Sequence, residues 1–370
     1  MRCHGPTPVA LFVSDLLISG QIGFLKMNKI IIDKPKVFTT EICQKPLVQN
    51  NEVLIKVSRI SLCGSDIHLY NGTYSGPINY PIMFGHEWSG VVAETGENVT
   101  KFKKGDKVTG DCSRYCSDCE YCEVDKNLCV NIEKYGITID GASAGYIVRN
   151  EKYLYKLTQN VSLKAGALVE PIAVGANLIE KVVKQKGDIS NKKILILGAG
   201  GIGMGLLFLL INKYNCLDIY VRDLSELKMK MAKEFGAIEF DNTQVNDTEN
   251  DYKSLYTNAK FEIVFETTGN ADVFANALNL LKPMGVLACL GMIPSVEINQ
   301  KLIVIKSLSV IGSIGGTGYF DDVIAVLSKY GKSAEKLISG EYKADIDGVK
   351  KAFKAAQNSS KTLKAQLVFS

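Results

Sequence analysis

The feature that most constrains the fold is a glycine-rich turn between an apolar strand and an apolar helix. Lys193–Leu197 (KILIL) predicts a buried strand, and Gly203–Tyr214 predicts a helix. The six residues between Leu197 and Met204 read GAGGIG, which has the GxGxxG spacing. In this spacing the first glycine permits a tight turn, the second lets a pyrophosphate approach the backbone, and the third allows close helix–strand packing. Free N–H groups at the start of the helix would bind the phosphates. The pattern therefore predicts a dinucleotide site that uses Gly198, Gly200, Gly201, Ile202 and Gly203.

An acidic residue after the next strand indicates which dinucleotide is bound. Leu217–Val221 predicts that strand, and Arg222 and Asp223 follow it. Asp223 comes about 20 residues after Gly203, where a carboxylate accepts hydrogen bonds from the ribose hydroxyls and repels a 2′-phosphate. NAD is therefore expected. Arg222 leaves NADP open, because an arginine near this position can receive that phosphate.

The two halves of the chain have different patterns. Residues 28–155 contain short alternating or β-branched runs such as Glu52–Ile60, punctuated by Gly and Pro, and predict an irregular β-rich domain. After Gly166, strands alternate with helices, which predicts a doubly wound parallel sheet. The other predicted elements of this half are Ala167–Lys184, Ser225–Phe235, Phe261–Glu266, Ala271–Leu281, Val286–Leu290, Asp321–Tyr330, Val349–Gln357 and Lys364–Phe369. The fold class is therefore α/β, with two domains of different construction.

Composition excludes several classes of function. The chain has 370 residues, of which 46% are hydrophobic and 22% charged, as expected for a folded protein of about two domains. A net charge of +4 is too small to indicate a nucleic-acid or membrane surface. No run of about 18 uncharged apolar residues predicts a membrane span. A nucleic-acid or membrane partner is therefore not expected.

Four of the ten cysteines have a spacing typical of a structural metal site. Cys116, Cys119, Cys122 and Cys129 are separated by two, two and six residues. Four thiolates on one short lobe can complete a tetrahedron around Zn²⁺ and leave no open position. Clustered cysteines in a long chain also favour a metal site in a reducing compartment over a disulfide scaffold. Cys112, four residues upstream, is either a bystander or an alternative ligand.

A second candidate metal site involves Cys63 and His86. Cys63 begins CGSDIH, and His86 lies in GHEWSG, where Glu87 follows it directly. Glu170 offers another carboxylate, in the sequence VEP. A Cys, a His and a carboxylate suit a catalytic zinc whose fourth position stays open to water or substrate.

Five motifs in order make the chain from about Met27 to Ser370 resemble the zinc-dependent medium-chain dehydrogenases, the family of alcohol, sorbitol and threonine dehydrogenases. They are CGSDIH at 63–68, GHEWSG at 85–90, the cysteine lobe at 116–129, VEPIAV at 169–174 and GAGGIG at 198–203. Within the family the chain is most similar to the polyol and cyclitol dehydrogenases. The resemblance implies a GroES-like β-rich catalytic domain at 27–180 and a Rossmann doubly wound parallel-sheet cofactor domain at 181–315. Residues 316–370 would return to the catalytic domain.

The resemblance also implies which residues hold zinc. Cys63, His86 and either Glu87 or Glu170 would hold the catalytic ion, with the other acid close by, and the four cysteines of the lobe would hold a structural one. The family usually has seven residues before the last cysteine of the lobe. With six here, the loop before Cys129 must be tighter or its zinc is bound weakly.

The expected reaction is reversible oxidation of a secondary alcohol to a ketone with hydride transfer to NAD, because the cofactor carries the redox chemistry. By resemblance, Ser65 would hydrogen-bond the substrate hydroxyl, and His68 would carry the proton outward through the cofactor ribose. A polyol or cyclitol is the first expectation. A sugar-alcohol phosphate, L-threonine or butanediol is an alternative, and a non-catalytic NAD- or zinc-binding protein is an alternative of another class.

The remaining expectations concern the chain's start, its assembly and its location. Residues 1–26 differ from the rest and are interpreted as a leader or extension, whereas Met27 begins a natural first strand. The family implies a homo-oligomer, a dimer or tetramer, in which strands of the cofactor domain pair across subunits. The apolar run Leu302–Gly312 fits that pairing or an internal core. The cysteine usage favours the cytoplasm.

Overall fold

The computed structural model describes residues 26–241, 253, 256, 258–358 and 360–370. The interpretation of the leader concerns residues that lie, apart from Lys26, outside the described part of the chain. Within that described part, no helix is both long and apolar enough to span a membrane.

The first part of the chain is mainly β-structure organised around one long strand, β3 (Glu52–Ser61). One edge of β3 pairs antiparallel with β5 (Glu87–Thr95). The first half of its other edge pairs with β9 (Tyr146–Asn150). This confirms the predicted strand Glu52–Ile60. The other strands of this part are β1 (Lys26–Lys34), β2 (Val37–Gln44), β4 (Ile82–Met83), β6 (Lys107–Gly110), β7 (Ser113–Arg114), β8 (Glu133–Lys134) and β10 (Leu154–Lys156).

Short helices in this part lie next to the predicted metal ligands. α1 (Gly64–Asn71) begins directly after Cys63, which has an extended backbone at the N-cap position. α2 (Glu120–Val124) lies within the cysteine lobe, and α3 (Leu163–Gly166) leads into the second half of the chain. The functional segments therefore lie at the ends of regular elements, where their backbones are held.

The second half contains a six-stranded parallel sheet. Its order is β13-β12-β11-β14-β15-β16, which is the 3-2-1-4-5-6 order of a Rossmann fold and confirms the predicted doubly wound sheet. The strands are β11 (Ile194–Leu197), β12 (Ile219–Arg222), β13 (Ile238–Glu239), β14 (Phe261–Glu266), β15 (Leu281–Cys289) and β16 (Ser309–Gly312). The glycine-rich turn follows β11, at the point where the strand order reverses and ligands bind in such sheets.

Helices accompany this sheet, and apart from the helix Gln300–Ile305, which was not predicted, their bounds agree with the predicted ones to within a few residues. The helix after the glycine turn begins at Gly201, two residues earlier than predicted, so it also contains Gly201 and Ile202. The helices are α4 (Val169–Lys186), α5 (Gly201–Asn212), α6 (Glu226–Glu234), α7 (Ala271–Leu280), α8 (Gln300–Ile305) and α9 (Phe320–Ala334). α5 is apolar around most of its circumference because it is buried between the sheet and α4.

The run Leu302–Gly312 spans the end of α8 and the edge strand β16. Leu302 is buried, whereas Val310 is 46% exposed on the open edge of the sheet. The apolar run is therefore partly internal core and partly unpaired edge.

The last elements return to the first sheet. β17 (Ile338–Lys343) pairs with β18 (Lys364–Val368), and α10 (Ile346–Gln357) packs on both. β18 also pairs antiparallel with the second half of β3, with Gln366 opposite Ser61. This register brings the end of the chain beside the residues that follow β3.

Candidate active site

Three of the predicted zinc ligands come together. One donor atom from each of Cys63, His86 and Glu87 lies within 4.8 Å of the other two. Cys63 precedes α1, and the pair His86-Glu87 lies at the start of β5, so two neighbouring elements of the β-rich part supply the group. His86 and Glu87 are buried, and Cys63 is partly buried. The arrangement offers one sulfur, one nitrogen and one oxygen donor.

Asp66, which was not among the predicted site residues, connects the segments that carry Cys63 and His86. Its fully buried carboxylate accepts hydrogen bonds from the backbone N–H groups of Cys63 at 2.9 Å and Gly85 at 3.1 Å. Asp66 Oδ1 also lies 3.7 Å from Nδ1 of His86, a nitrogen that has no hydrogen-bond partner among the described residues. Burial disfavours a charged His86, but the nearby charges of Asp66 and Cys63 outweigh it and raise the pKa of His86 well above its usual value. The carboxylate three residues after Cys63 was the available signal, since an acid at that spacing caps a helix start.

Glu87 has a second unpredicted partner, Lys364 of β18. Lys364 Nζ donates to both carboxylate oxygens of Glu87, at 2.5 Å to Oε1, and to the carbonyl of Leu62 at 3.1 Å. Burial alone would lower the pKa of Lys364, but the charges of Glu87 and Cys63 raise it, so the ammonium stays charged at neutral pH. The carboxylate of Glu87 is therefore close both to the ammonium of Lys364 and to the donor atoms of Cys63 and His86.

Glu170 is held by a different partner. It lies in the first turn of α4, where the helix dipole favours a carboxylate, and it is 5% exposed. The buried thiol of Cys112 donates to its Oε1 at 3.1 Å. Burial, together with the charge of Glu170, raises the pKa of Cys112 well above its usual value, so this cysteine is a thiol. Cys112 is thus a neighbour of Glu170 and is not part of the four-cysteine cluster.

The two residues of the predicted proton path lie on α1. Ser65 lies in its first turn, with Oγ 3.9 Å from Cys63 Sγ. His68 lies one turn further, is exposed to solvent, and has Nδ1 2.9 Å from Oγ1 of Thr73. Ser65 faces the cavity described next, and His68 lies outside it.

One cavity brings the metal-ligand group and the glycine turn together. Its volume is about 390 Å³, and its wall includes Cys63, His86, Glu87 and Glu170 together with residues 200–203. The turn has the geometry that its glycines predict. Gly198 has a φ of +97°, and a Cβ on Gly203 would lie 1.8 Å from the carbonyl oxygen of Gly198.

A larger cavity of about 680 Å³ continues from the turn along the ends of the parallel strands. Gly198, Arg222 and Asp223 line it. Asp223 accepts from the backbone N–H groups of Ala199 and Ser225, both at 2.8 Å. The two cavities share Gly200 and Thr267, so a ligand that occupies the larger one reaches toward the metal-ligand group.

The four cysteines of the lobe form a second cluster, with all four sulfurs within 4.8 Å of one another. Cys116 Sγ lies 3.4 Å from Cys129 Sγ and 3.9 Å from Cys122 Sγ. A 3₁₀ turn at 126–128 returns the chain to Cys129, so six intervening residues are enough to bring the fourth sulfur in. The backbone N–H of Val130 lowers the pKa of Cys119 to about 6, which favours the thiolate that a metal binds.

Asn127 attaches the lobe to the second half of the chain. Its amide Nδ2 donates to the carbonyl of Thr317 at 3.1 Å, and its Oδ1 accepts from the backbone N–H of Thr317 at 3.0 Å. Asn127 was also absent from the sequence prediction, because its partner is 190 residues away.

Both clusters fit zinc by the chemistry of their donors. Four thiolates suit a closed tetrahedral site, and a Cys–His–carboxylate set suits a site with one open position.

Comparison with known proteins agrees with this geometry. Residues 49–159 match the alcohol dehydrogenase GroES-like domain, and residues 163–366 match the glucose dehydrogenase C-terminus. The chain is similar to the sorbitol dehydrogenase of Halalkalibacterium halodurans, with 31% identity over 80% of this chain and 87% of that protein. It is also similar to the D-arabitol-phosphate dehydrogenase of Enterococcus avium, with 29% identity over 80% and 85% of the two chains.

A solved structure shows the same architecture. The alcohol dehydrogenase RspB of Escherichia coli CFT073, complexed with NADH, superposes with a TM-score of 0.82 and 26% identity, covering 93% of this chain and 99% of that one. One family match covers more than half of the chain, and the sorbitol dehydrogenase exceeds 30% identity over most of its length. The chain therefore belongs to the zinc-dependent medium-chain dehydrogenases and is an oxidoreductase that acts on alcohols.

Proposed function

We propose that this enzyme reversibly oxidises a secondary alcohol of a polyol or cyclitol to a ketone, with hydride transfer to NAD. The observation that carries the proposal is the shared cavity, whose wall includes Cys63, His86 and Glu87 as well as the glycine turn. An alcohol bound at the metal-ligand group would lie beside the nicotinamide of a dinucleotide bound at the turn. The similarity to a sorbitol dehydrogenase supports a polyol as the substrate.

Cys63, His86 and Glu87 would hold the catalytic zinc, with Glu170 as the neighbouring acid. When bound, zinc supplies Lewis-acid polarisation of the substrate oxygen. Asp66 orients His86, and Lys364 balances the charge of Glu87. The closeness of a Glu87 oxygen to the donor atoms of Cys63 and His86 supports Glu87 as the direct ligand. The hydrogen bond from Cys112 keeps Glu170 beside the group.

Ser65 and His68 would remove the proton of the alcohol. Ser65 Oγ would accept it inside the cavity as its own hydroxyl proton passes on, and His68, three residues further on the same helix, would release a proton to solvent. The exposure of His68 and its contact with Thr73 support an outlet role.

Asp223 would select NAD. Its carboxylate is fixed by two backbone N–H groups at the wall of the larger cavity, where a 2′-phosphate would meet its charge. Arg222 lines the same cavity and keeps NADP as the alternative.

The cysteine lobe would hold a structural zinc, and the open strand β16 would pair across subunits in a homo-oligomer. The exposed Val310 on that edge supports the second assignment. We also propose the domain division 27–180, 181–315 and 316–370, and a cytoplasmic location, which the nine free cysteines of the described residues support.

The alternatives to a polyol or cyclitol dehydrogenase are an enzyme with another alcohol substrate and a protein without catalytic activity. A sugar-alcohol phosphate, L-threonine or butanediol would use the same residues. A non-catalytic NAD- or zinc-binding protein would be expected to lack a ligand, whereas Cys63, His86 and Glu87 are together.

The test is an NAD-reduction screen on protein of measured zinc content, with polyols, cyclitols, threonine, butanediol and sugar-alcohol phosphates as substrates. Turnover of a secondary alcohol that disappears in Cys63→Ser supports the proposal. Undiminished activity of Cys63→Ser contradicts the zinc assignment, and cofactor binding without turnover of any alcohol supports the non-catalytic alternative.

A further inference from the structure

We propose that Lys134 binds an anionic group of the substrate, so that the substrate is a polyol or cyclitol that carries a carboxylate or a phosphate. The inference rests on the proposed function, because it assigns the far end of the same substrate. Lys134 lines the cavity that also contains Cys63 and Glu170.

The backbone holds Lys134 in a defined position. It lies on β8, directly opposite Ser113 of β7. Its N–H donates to Oγ1 of Thr138 at 2.7 Å, and its carbonyl accepts from the N–H groups of residues 137–139. The side chain of Lys134 therefore projects from a fixed turn.

The ammonium is anchored by a neutral partner only. Lys134 Nζ donates to Oγ of the fully buried Ser113 at 2.6 Å. Across the described ranges, this is the one hydrogen bond of Nζ, and no carboxylate oxygen lies within 4.0 Å of it. An ammonium has three donors, so two of them remain for a ligand.

Lys364 differs from Lys134 because its ammonium already has an anionic partner. Both lysines line the cavity, but the ammonium of Lys364 is already bound to Glu87 and to the carbonyl of Leu62. Keeping a partly buried charge without a carboxylate in direct contact costs free energy, which an anionic ligand would recover.

The position relative to the reacting end follows from a chain of contacts. Ser113 Oγ lies 3.8 Å from Cys112 Sγ, which donates to Glu170 beside the metal-ligand group. Lys134 is thus on the same wall as Glu170 but separated from it by two side chains. An alcohol group at one end of a small molecule and an anion at the other fit this separation.

The cavity that Lys134 lines also offers a neutral donor. Tyr74 lines it, is half-buried, and its hydroxyl has no hydrogen-bond partner in the part of the chain that the structure describes. A compact ammonium and a hydroxyl suit the oxygens of a phosphate or a carboxylate. A volume of about 390 Å³ suits a small molecule beside the nicotinamide.

The experiment uses the full-length, zinc-loaded protein and three substrates of the same configuration: a pentitol, its aldonate and its phosphate. Wild type is expected to have a higher kcat/KM for one of the two anionic substrates than for the pentitol. Lys134→Met is expected to lower kcat/KM for that anion roughly 10- to 100-fold, mainly through KM, because one charge-assisted contact is lost. Its effect on the pentitol should stay within about two-fold, and Lys134→Arg should keep most of the preference.

The exposed Lys101 provides the matched control, because Lys101→Met removes the same charge outside the cavity. Whether the aldonate or the phosphate has the higher kcat/KM decides between a carboxylate and a phosphate as the bound anion. Equal losses on neutral and anionic substrates, or a wild-type preference for the pentitol, would overturn the assignment of Lys134.

Binding measured without turnover separates this inference from the proposed function. Isothermal titration of inorganic phosphate and of acetate into NAD-saturated protein is expected to show binding of one anion that Lys134→Met weakens and Lys101→Met does not. If no alcohol is oxidised, the proposed function fails, and this titration still decides the anion site. Equal anion binding by wild type and Lys134→Met overturns it.

Discussion

Glu87 and Lys364 are 277 residues apart in the sequence, and their side chains form a buried ion pair. The pair exists because β5, β3 and β18 are adjacent strands of one sheet. Lys364 also approaches the glycine turn, since its Cε lies 2.9 Å from where a Cβ on Gly201 would be. One lysine thus connects the metal-ligand group with the start of the cofactor helix.

In the metal-free protein, Lys364→Met is expected to lower the free energy of unfolding by about 3–5 kcal/mol, because it leaves the carboxylate of Glu87 buried without its cation. Urea denaturation measures the change. The double variant Lys364→Met/Glu87→Gln should recover part of the loss, since it removes the orphaned charge. Equal stability of the single and double variants would show that the pair does not act as a unit.

Lys306 should be important for the stability of the cofactor half. Its fully buried ammonium donates to the carbonyls of Leu278, Asn279 and Leu281 at 3.0–3.3 Å, at the C-terminal end of α7. Lys306→Met would leave these carbonyls unpaired and is expected to destabilise the protein by roughly 2–4 kcal/mol. Chemical denaturation measures this, with Lys329→Met on an exposed helix face as the control. A loss no larger than that of the control would contradict the capping role.

Asp111 should make stability depend on pH. Burial raises the pKa of its carboxyl from about 3.8 to about 6, and its Oδ2 has no hydrogen-bond partner in the part of the chain that the structure describes. The native state therefore binds more protons than the unfolded state between these values, and stability falls as the pH rises from about 4 to 6. Asp111→Asn removes this penalty and keeps the acceptor for Ser113.

The Asp111→Asn variant is therefore expected to gain roughly 1–3 kcal/mol over wild type above pH 6 and to show no such gain below about pH 4. Thermal denaturation between pH 4 and 8 measures it, with the exposed Asp118→Asn as the control. A pH-independent difference between Asp111→Asn and wild type would contradict the assignment.

Removal of metal should expose one reactive thiol first. Because the pKa of Cys119 is lowered to about 6, its thiolate fraction in the metal-free protein rises through pH 6, and it should react with iodoacetamide at pH 7. The buried Cys216, with a pKa raised to about 11, should stay unmodified in the native protein. Mass spectrometry of labelled peptides distinguishes them, and added zinc should protect Cys119. Equal labelling of Cys119 with and without zinc would contradict a metal site at the lobe.

Local spacing was sufficient to predict the elements that carry the site. The glycine turn, the lobe and the segments around Cys63 and His86 are short, so residue type and spacing already restrict their backbones. The same holds for strands such as β3 and β14, whose apolar patterns matched the observed bounds closely.

The partners of these residues were not predictable, because they depend on strand register and domain packing. Lys364 reaches Glu87 only through the pairing of β18 with β3, and Cys112 reaches Glu170 only when α4 packs against the β-rich part. In the sequence, Cys112 lies four residues before Cys116, and this spacing does not indicate that its thiol binds Glu170 instead of joining the lobe. Asp66 is the exception, since its capping position is local.

The late arrival of β18 has a consequence for synthesis on the ribosome. The nascent chain presents β3 and Glu87 long before the strand that carries Lys364 exists. With 277 residues to translate between the two, the delay is on the order of tens of seconds. During that time the edge of β3 that later pairs with β18 is open to other chains. The negative charge of Glu87 also lacks the lysine that later neutralises it. We expect the β-rich part to reach its final packing only after translation has passed the whole cofactor half, which makes chaperone binding most useful in this interval.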